Sequence, residues 1–232
     1  MTQRVIEITS PCFISHEELP EQLDSQQLFG TLRPVALEIG CGTGHFVADL
    51  ASREPETGFI AIDIYNRGCY KTCRKVDLRQ LDNVRVMRME ARDLLRHMPE
   101  NFLSAIYINC PDPWPKKRHR KRRLVNEDLL EQLRFVLKPG GILYFVSDFG
   151  DYTSDVAELL AREPGWEKLA TRRIETPPDD YPVSKYMRRF LDQGEPLHYV
   201  EGRRPEDDHL EGRPLEKPRR GFRLPWGKHA HG

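Results

Sequence analysis

A carboxylate, three prolines and a dense run of cations follow one another between residues 110 and 123. The segment reads Cys-Pro-Asp-Pro-Trp-Pro-Lys-Lys-Arg-His-Arg-Lys-Arg-Arg, and residues 116–123, here called the basic run, are all Lys or Arg except for one His. Such a charge density repels itself unless it is solvated or faces a polyanion, so phosphate is the expected partner. Because Pro111, Pro113 and Pro115 fix φ and remove backbone donors, we predict a stiff extended loop and not a charged helix.

Asp112 in this loop comes directly after a predicted strand. Residues 102–110 are mostly apolar, β-branched or aromatic, and they have the length of a buried strand. Open α/β sheets bind their ligands beyond the carboxyl ends of the strands. We therefore expect Asp112 at a ligand site, with the basic run beside it. A merely solvated basic face is the alternative that the charge run alone leaves open.

A glycine-rich turn at residues 38–44, Glu-Ile-Gly-Cys-Gly-Thr-Gly, marks a second chemical centre. It follows a predicted strand and precedes a predicted helix, as nucleotide-binding turns do. His45 stands where the dinucleotide fingerprint needs Gly or Ala. An acidic residue followed by GxGxG is instead the pattern of S-adenosylmethionine (SAM) methyltransferases. Gly40, Gly42 and Gly44 would let the backbone approach SAM closely.

Three acidic residues are predicted to line one crevice with this turn. Glu38 precedes the glycines, Asp63 closes the second predicted strand and Glu90 closes the third. Each of them alone would more often be a solvated strand end, but successive strand ends of a parallel sheet meet at one edge. We predict Glu38 at the cationic end of the methionine moiety, Asp63 at the ribose hydroxyls and Glu90 near the adenine amine.

The elements that must position these residues alternate along the chain from Pro34. Short apolar runs are followed by helix-length segments, which indicates a doubly wound α/β fold: a mostly parallel seven-stranded sheet with helices on both faces. The loop at residues 176–196 is long enough to be functional or disordered. The predicted strands are residues 35–39, 58–63, 84–89, 102–110, 141–147, 166–174 and 197–202, and the predicted helices are residues 44–52, 65–81, 91–97, 126–137 and 151–162.

The composition fits one domain with short additions. The chain has 232 residues and balances 36 Lys and Arg against 36 Asp and Glu, so nucleic-acid binding must come from local charge clusters. We predict an N-terminal extension at residues 1–33, a methyltransferase domain at residues 34–202 and a flexible charged tail at residues 203–232, which has few aliphatic side chains.

The same composition predicts neither a membrane segment nor a metal site. No apolar stretch approaches the roughly 18 residues of a spanning helix, and the amino terminus lacks a signal-peptide pattern, so we expect a cytoplasmic location. The cysteines form no CxxC pair, which argues against a disulfide framework and against zinc. They are expected to be reduced thiols, and they are Cys12, Cys41, Cys69, Cys73 and Cys110.

Over about residues 35–199, these motifs together resemble the bacterial tRNA (guanine-N7)-methyltransferase family. The resemblance rests on the glycine turn, on the Pro-Asp-Pro-Trp-Pro block with the basic run, on Ser147-Asp148, and on Pro-Val-Ser-Lys-Tyr at residues 182–186, which is similar to the family's Thr-Lys-Phe-Glu segment. It implies a class I methyltransferase fold and methyl transfer from SAM to N7 of a tRNA guanine, at variable-loop position 46.

The resemblance also implies roles for individual residues. Asp112 would be the catalytic position and would line the SAM site with Glu38, Asp63 and Glu90. The substrate guanosine would meet Lys116, Asp148, Ser184, Lys185, Tyr186 and Met187.

Met187 departs from this pattern, because the family has Glu there and a carboxylate expected near the base is missing. The alternatives are therefore a SAM methyltransferase acting on another RNA or a small molecule, and an RNA-binding homologue with weakened catalysis. Guanine N7 carries a lone pair and no proton, so the implied reaction needs alignment and electrostatic stabilisation and no strong base.

Overall fold

A computed structural model describes residues 6–210 and 212–214. The strands are β1 (Phe13–Ile14), β2 (Val35–Ile39), β3 (Gly58–Asp63), β4 (Val84–Arg88), β5 (Leu103–Asn109), β6 (Leu137–Ser147), β7 (Glu167–Ile174) and β8 (Leu197–Arg203). The helices are α1 (Ser25–Phe29), α2 (His45–Arg53), α3 (Asn66–Leu78), α4 (Ala91–Leu95), α5 (Glu127–Val136), α6 (Gly150–Arg162) and α7 (Lys185–Asp192), with 3-10 helices at His16–Glu18 and Lys117–Arg122.

The eight strands form one sheet in the order β1-β4-β3-β2-β5-β6-β8-β7. All pairs from β1 to β6 are parallel, whereas β8 is antiparallel to both β6 and β7. The chain builds outward from β2 to β3 and β4, then crosses back to β5 on the other side of β2. This reversal creates a crevice at the carboxyl ends of β2 and β5, the place where doubly wound sheets bind ligands.

Helices cover both faces of the sheet. β2 and β3 are buried at every residue, as strands between two helical layers are. One face packs against α1, α4, α5 and α6, and the other packs against α2, α3 and α7. The doubly wound α/β prediction is confirmed. Among the described residues, no helix is long and apolar enough to cross a membrane.

α5 illustrates how the local sequence sets a helix. The Asn126 side chain accepts a hydrogen bond from the backbone N–H of Leu129, which caps the first turn. Acidic residues at positions 127 and 128 favour the positive end of the helix dipole. Leu129, Leu133 and Val136 recur at helical spacing and are buried against the sheet. The predicted helix at residues 126–137 is confirmed within one residue at each end.

All seven predicted strands are present, and one more was missed. The additional strand, β1, lies in the predicted N-terminal extension, where Phe13 and Ile14 pair with Val86 and Met87 of β4. A strand of two residues carries no periodic signal, so only the docked structure reveals it. The extension is therefore joined to the sheet at its edge.

Two segments between the predicted elements also differ from expectation. The loop at residues 176–196 contains α7, which begins after Ser184. β6 begins at Leu137, so residues 138–141 lie within the strand and not in a turn before it. The pairing register of β5 and β6 shifts there, and Gly140 has a φ of 76°.

The predicted boundary of a flexible tail at Arg203 is wrong for the residues that follow it directly. Arg203 ends β8, and Arg204 is 1% exposed. The Arg204 guanidinium donates to Asn101 Oδ1, to the carbonyl oxygens of Arg134 and Leu137, and to Asp208. Residues 211 and 215–232 of the predicted tail lie outside the described residues.

Four of the five cysteines are buried. Cys69 and Cys73 share one face of α3 and are both buried in the core, and Cys12 and Cys41 are buried too. All five cysteines are free thiols. Within the described residues, no group of three His, Cys, Asp or Glu side chains is arranged to hold a metal ion.

Candidate active site

A cleft of about 820 Å³ opens at the carboxyl ends of the strands beside the crevice between β2 and β5. Its size falls within the roughly 300–1,000 Å³ of ordinary small-molecule sites. Eight of the residues predicted for the site line it: Gly40, Gly42, Asp63, Glu90, Asp112, Asp148, Lys185 and Tyr186. Five others do not line it: Glu38, Gly44, Lys116, Ser184 and Met187.

The glycine turn forms an open wall of the cleft. The N–H groups of Gly40 and Cys41 both donate to the carbonyl of Ile62, which ties the turn to β3. Gly40 and Gly42 have φ angles of 84° and 56°, and a Cβ atom at either would meet nothing within 4 Å. A side chain would be strained there and would occupy the open space instead of a ligand.

Gly44 has a different reason to be glycine. A Cβ atom at this position would lie 2.6 Å from the Thr72 side chain of α3. Gly44 is the N-cap residue of α2 and has a φ of 71°. Gly44 therefore permits α2 and α3 to pack closely, and it is not among the residues that line the cleft, so its place at the cofactor stays a prediction.

Asp63 connects β3, the glycine turn and the start of α3. Its Oδ2 accepts from Gly42 N at 2.8 Å, and its Oδ1 accepts from Tyr65 N at 2.8 Å. Burial raises the pKa of this carboxyl, against the effect of the backbone hydrogen bonds. A carboxylate has about four acceptor positions, so Asp63 can still accept hydroxyl donors from the cleft.

Glu90 lies two residues beyond the end of β4 and caps α4. Its Oε2 accepts from the backbone N–H of Arg92, and its Oε1 pairs with the Arg92 guanidinium at 3.1 Å. Both side chains line the cleft. The pairing holds the Glu90 carboxylate in place, while its remaining acceptor capacity faces the cleft.

Glu38 lies behind the cleft wall, next to the end of β5. It is 2% exposed, and its Oε2 has no hydrogen-bond partner among the described residues. Burial raises the pKa of Glu38 to about 8, and the neighbouring Asp63 acts in the same direction. A buried acceptor without a partner is costly, which is typical of groups that await a ligand or a proton.

The loop that carries Asp112 is bracketed by two residues in the left-handed region. Cys110 has a φ of 49° and Trp114 has a φ of 43°. Non-glycine residues adopt this region rarely and at a cost, and such strain is common at functional sites. Between them Asp112 is exposed and lines the cleft, as does Asp148 after β6. Burial raises the pKa of Asp148.

The basic run is not an extended loop, because residues 117–122 form a 3-10 helix. Two of its cations are internal anchors: Arg120 pairs with Asp151, and Arg123, which is 4% exposed, pairs with Asp151 and Asp155 of α6. Arg122 stacks on the Trp114 ring at 4.8 Å. The exposed members are Lys116, Lys117, Arg118, Lys121 and Arg122.

α7 brings only part of the predicted substrate segment to the cleft. Lys185 and Tyr186 line it, and Tyr186 is 56% exposed. Ser184 instead caps the helix by accepting from Met187 N at 3.2 Å. Met187 is 0% exposed, and its sulfur accepts from Ser184 N at 3.5 Å. The structure thus places Met187 in the core and in a capping-box arrangement, not beside a substrate base.

The cleft also contains polar residues that the motifs did not indicate. Arg67 and Lys71 are one helical turn apart on α3, and Asn109 ends β5. The i, i+4 spacing of these two cations just after Asp63 indicates that both lie on one face of the helix that begins at the predicted site. Asn109 was signalled by a polar side chain within an otherwise apolar strand.

Comparisons with known proteins agree with this geometry. A family model described as "Putative methyltransferase" matches residues 32–200. The tRNA (guanine-N(7)-)-methyltransferase of Syntrophotalea carbinolica is 49% identical over 227 residues, which cover 97% of this chain and 98% of that protein. The protein of the same name from Geobacter metallireducens is 47% identical over 204 residues, which cover 87% of this chain and 97% of that protein.

Solved structures match at the level of the fold. An antibiotic-related methyltransferase superposes with a TM-score of 0.61 at 19% identity, over 82% of this chain and 94% of its own. The 16S rRNA methyltransferase KamB superposes with a TM-score of 0.57 at 18% identity, and the match covers 88% of this chain and 97% of KamB. With its glycine turn, its strand-end carboxylates and relatives that align over almost their full length, this chain belongs to the tRNA (guanine-N7)-methyltransferase family.

Proposed function

We propose that this chain transfers the methyl group of SAM to N7 of a guanine in tRNA, and that this guanine is the one at variable-loop position 46. Family membership supports the reaction and the substrate class. The observation that carries the proposal is the cleft itself, in which the glycine turn, Asp63, Glu90 and Asp112 meet at one edge of the sheet.

The chain's residues fit SAM along the length of the cleft. The strand order β4-β3-β2-β5 places Glu90, Asp63 and the glycine turn in a row. We assign Glu90 to the adenine amine, Asp63 to the ribose hydroxyls and the open wall at Gly40 and Gly42 to the close approach of the ligand. Glu38 holds its proton below about pH 8 in the folded chain, and the methionine ammonium bound in front of the wall would favour the ionised carboxylate, which would then attract it.

SAM supplies an electrophilic methyl group on a sulfonium when it is bound. The protein's task is then to align guanine N7 in line with that methyl and to stabilise the positive charge that the base acquires. Asp112 and Asp148 both line the cleft and can supply that negative charge. A cation beside Asp148 would favour its ionised form, against the burial that raises its pKa.

The basic run supports a role in gripping the tRNA backbone next to this site. Its ion pairs with α6 fix the 3-10 helix, while Lys116, Lys117, Arg118 and Lys121 remain exposed. Exposed cations on a fixed element bind phosphates without reading sequence, so they would position the tRNA. Since tRNA is a cytoplasmic substrate in bacteria, we place the enzyme in the cytoplasm.

Radiolabelled methyl transfer tests the proposal. The purified chain is incubated with SAM and with two transcripts of one tRNA, one of which carries adenine in place of guanine at position 46. We expect N7-methylguanine in the first transcript and no incorporation in the second. Transfer to neither would contradict the activity, whereas equal transfer to both would contradict only the position.

A further inference from the structure

Two buried polar atoms beside the cleft have no hydrogen-bond partner among the described residues. They are Glu38 Oε2 and Asn109 Nδ2, on the adjacent strands β2 and β5. Asn109 is 8% exposed. Buried polar groups are nearly always paired, so an unpaired donor at the wall of a cleft indicates a partner that arrives with a ligand.

Asn109 is the member of this pair that a ligand can touch. It lines the cleft, whereas Glu38 does not. Asn109 follows Ile108, which pairs with Ile39 of β2, so its side chain lies beside the start of the glycine turn. Its carboxamide lies close enough to Glu38 to lower the pKa of that carboxyl, although no hydrogen bond of proper geometry joins the two groups, while burial raises the same pKa.

Tyr181 determines which end of the amide faces the ligand. Its hydroxyl donates to Asn109 Oδ1 at 2.9 Å in a buried contact. Tyr181 is itself fixed by Phe46, at 5.1 Å between ring centroids, and by Tyr199, at 5.6 Å. Because Tyr181 occupies the oxygen, the nitrogen and its two N–H donors remain for Glu38 and for the cleft.

We propose that Asn109 binds the amino-acid end of SAM, with Tyr181 as its positioning residue. This rests on the proposed function, in which SAM lies in the cleft. With the adenine at Glu90 and the ribose at Asp63, as assigned above, the strand order β4-β3-β2-β5 would put the methionine end over β2 and β5. Asn109 Nδ2 can only donate, and the acceptor at that end of SAM is its carboxylate.

Two ligands separate this contact from a general structural role. S-adenosylhomocysteine carries the amino-acid end, and 5′-methylthioadenosine lacks it but keeps the adenine and ribose. By calorimetry, Asn109→Leu should weaken S-adenosylhomocysteine about tenfold or more, the loss expected for a hydrogen bond to a charged group, and leave methylthioadenosine unchanged. Tyr181→Phe should show the same ligand dependence with a smaller loss.

Two further variants keep the test decisive. Asn109→Asp retains the shape and the Tyr181 contact but replaces the donor with an acceptor, so it should weaken S-adenosylhomocysteine selectively even if the Leu variant does not fold. Tyr144→Phe, in the same aromatic cluster, is the control and should change neither affinity.

Three results would overturn the inference. The first is unchanged S-adenosylhomocysteine affinity in the Asn109 variants. The second is an equal loss for both ligands, which would mean that Asn109 only supports the wall. The third is a parent protein that binds neither ligand, and that result would also remove SAM from the proposed function.

Discussion

Replacing Glu38 by Gln should stabilise the folded protein relative to the parent, and this difference in stability should grow as the pH rises. The carboxyl has an ordinary pKa of 4.5 and a pKa of about 8 in the folded chain. Folding therefore holds a proton on Glu38 that the unfolded chain releases, so the native state loses stability between these two values as pH increases. The loss is about 1.4 kcal/mol per pH unit, or on the order of 3 kcal/mol at pH 7.

The Gln side chain has nearly the same shape and does not titrate, so the Glu38→Gln variant does not lose this stability. Urea unfolding of both proteins at about pH 5.5, 6.5 and 7.5 measures the difference in their free energies of unfolding. We expect the stability of the variant, relative to the parent, to increase by about 2.5 kcal/mol across that range. Comparing the change with pH, rather than the absolute difference, removes any constant offset between an acid and an amide.

Glu56→Gln is the matched control, because it makes the same chemical change at an exposed position. A difference between Glu38→Gln and the parent that stays constant from pH 5.5 to 7.5 would refute the reasoning, since Glu38 would then titrate near its ordinary value. The stabilised variant should also bind S-adenosylhomocysteine more weakly, because an amide cannot ionise to pair with the ammonium of the ligand.

Three further variants test other parts of the molecule. In one variant, three exposed cations of the basic run, Lys117, Arg118 and Lys121, are replaced by Gln. The slope of the logarithm of the tRNA binding constant against the logarithm of salt concentration should fall in magnitude by roughly two to three, while S-adenosylhomocysteine affinity stays unchanged. An unchanged slope would mean that the basic run is only a solvated face. Met187→Leu should keep the rate of guanine methylation within about twofold of the parent, because Met187 lies in the core. A large loss of activity at an unchanged melting temperature would indicate that Met187 contacts the substrate. Arg204→Leu should cost about 3 kcal/mol in urea unfolding, whereas Arg203→Leu, at a half-buried residue that pairs with Glu167, should cost under about 1 kcal/mol. Similar losses for the two variants would contradict the role of Arg204 as a buried anchor.

The regular part of the fold was predictable because its strands and helices carry strong hydrophobic patterns. β2 and β3 are mostly apolar, and their predicted bounds are the observed ones. β1 was not predictable, since two residues have no period and their pairing depends on where β4 lies. α7 carried a signal that was overlooked: Ser184 as a cap, followed by Met187, Phe190 and Leu191 at helical spacing.

For the site, the sequence predicted which residues meet but not how deeply they lie. Asp63, Glu90 and Asp112 reach the cleft because strand ends and the turns after them meet at one edge of a parallel sheet. Glu38 belongs to the same motif but is covered by its neighbours, and such burial depends on adjacent strands that are distant in sequence. The capping role of Met187 was hidden because the resemblance suggested a substrate contact there.

The position of β8 in the sheet has a consequence for synthesis. β8 is the last strand among the described residues, yet it lies between β6 and β7, which precede it in the sequence. Because translation proceeds from the amino terminus, β6 emerges with an open edge and β7 has no neighbour until residues 197–203 arrive. A nascent or prematurely terminated chain therefore exposes a template for pairing with other chains, and chaperones should associate with it most strongly in the interval before β8 is inserted.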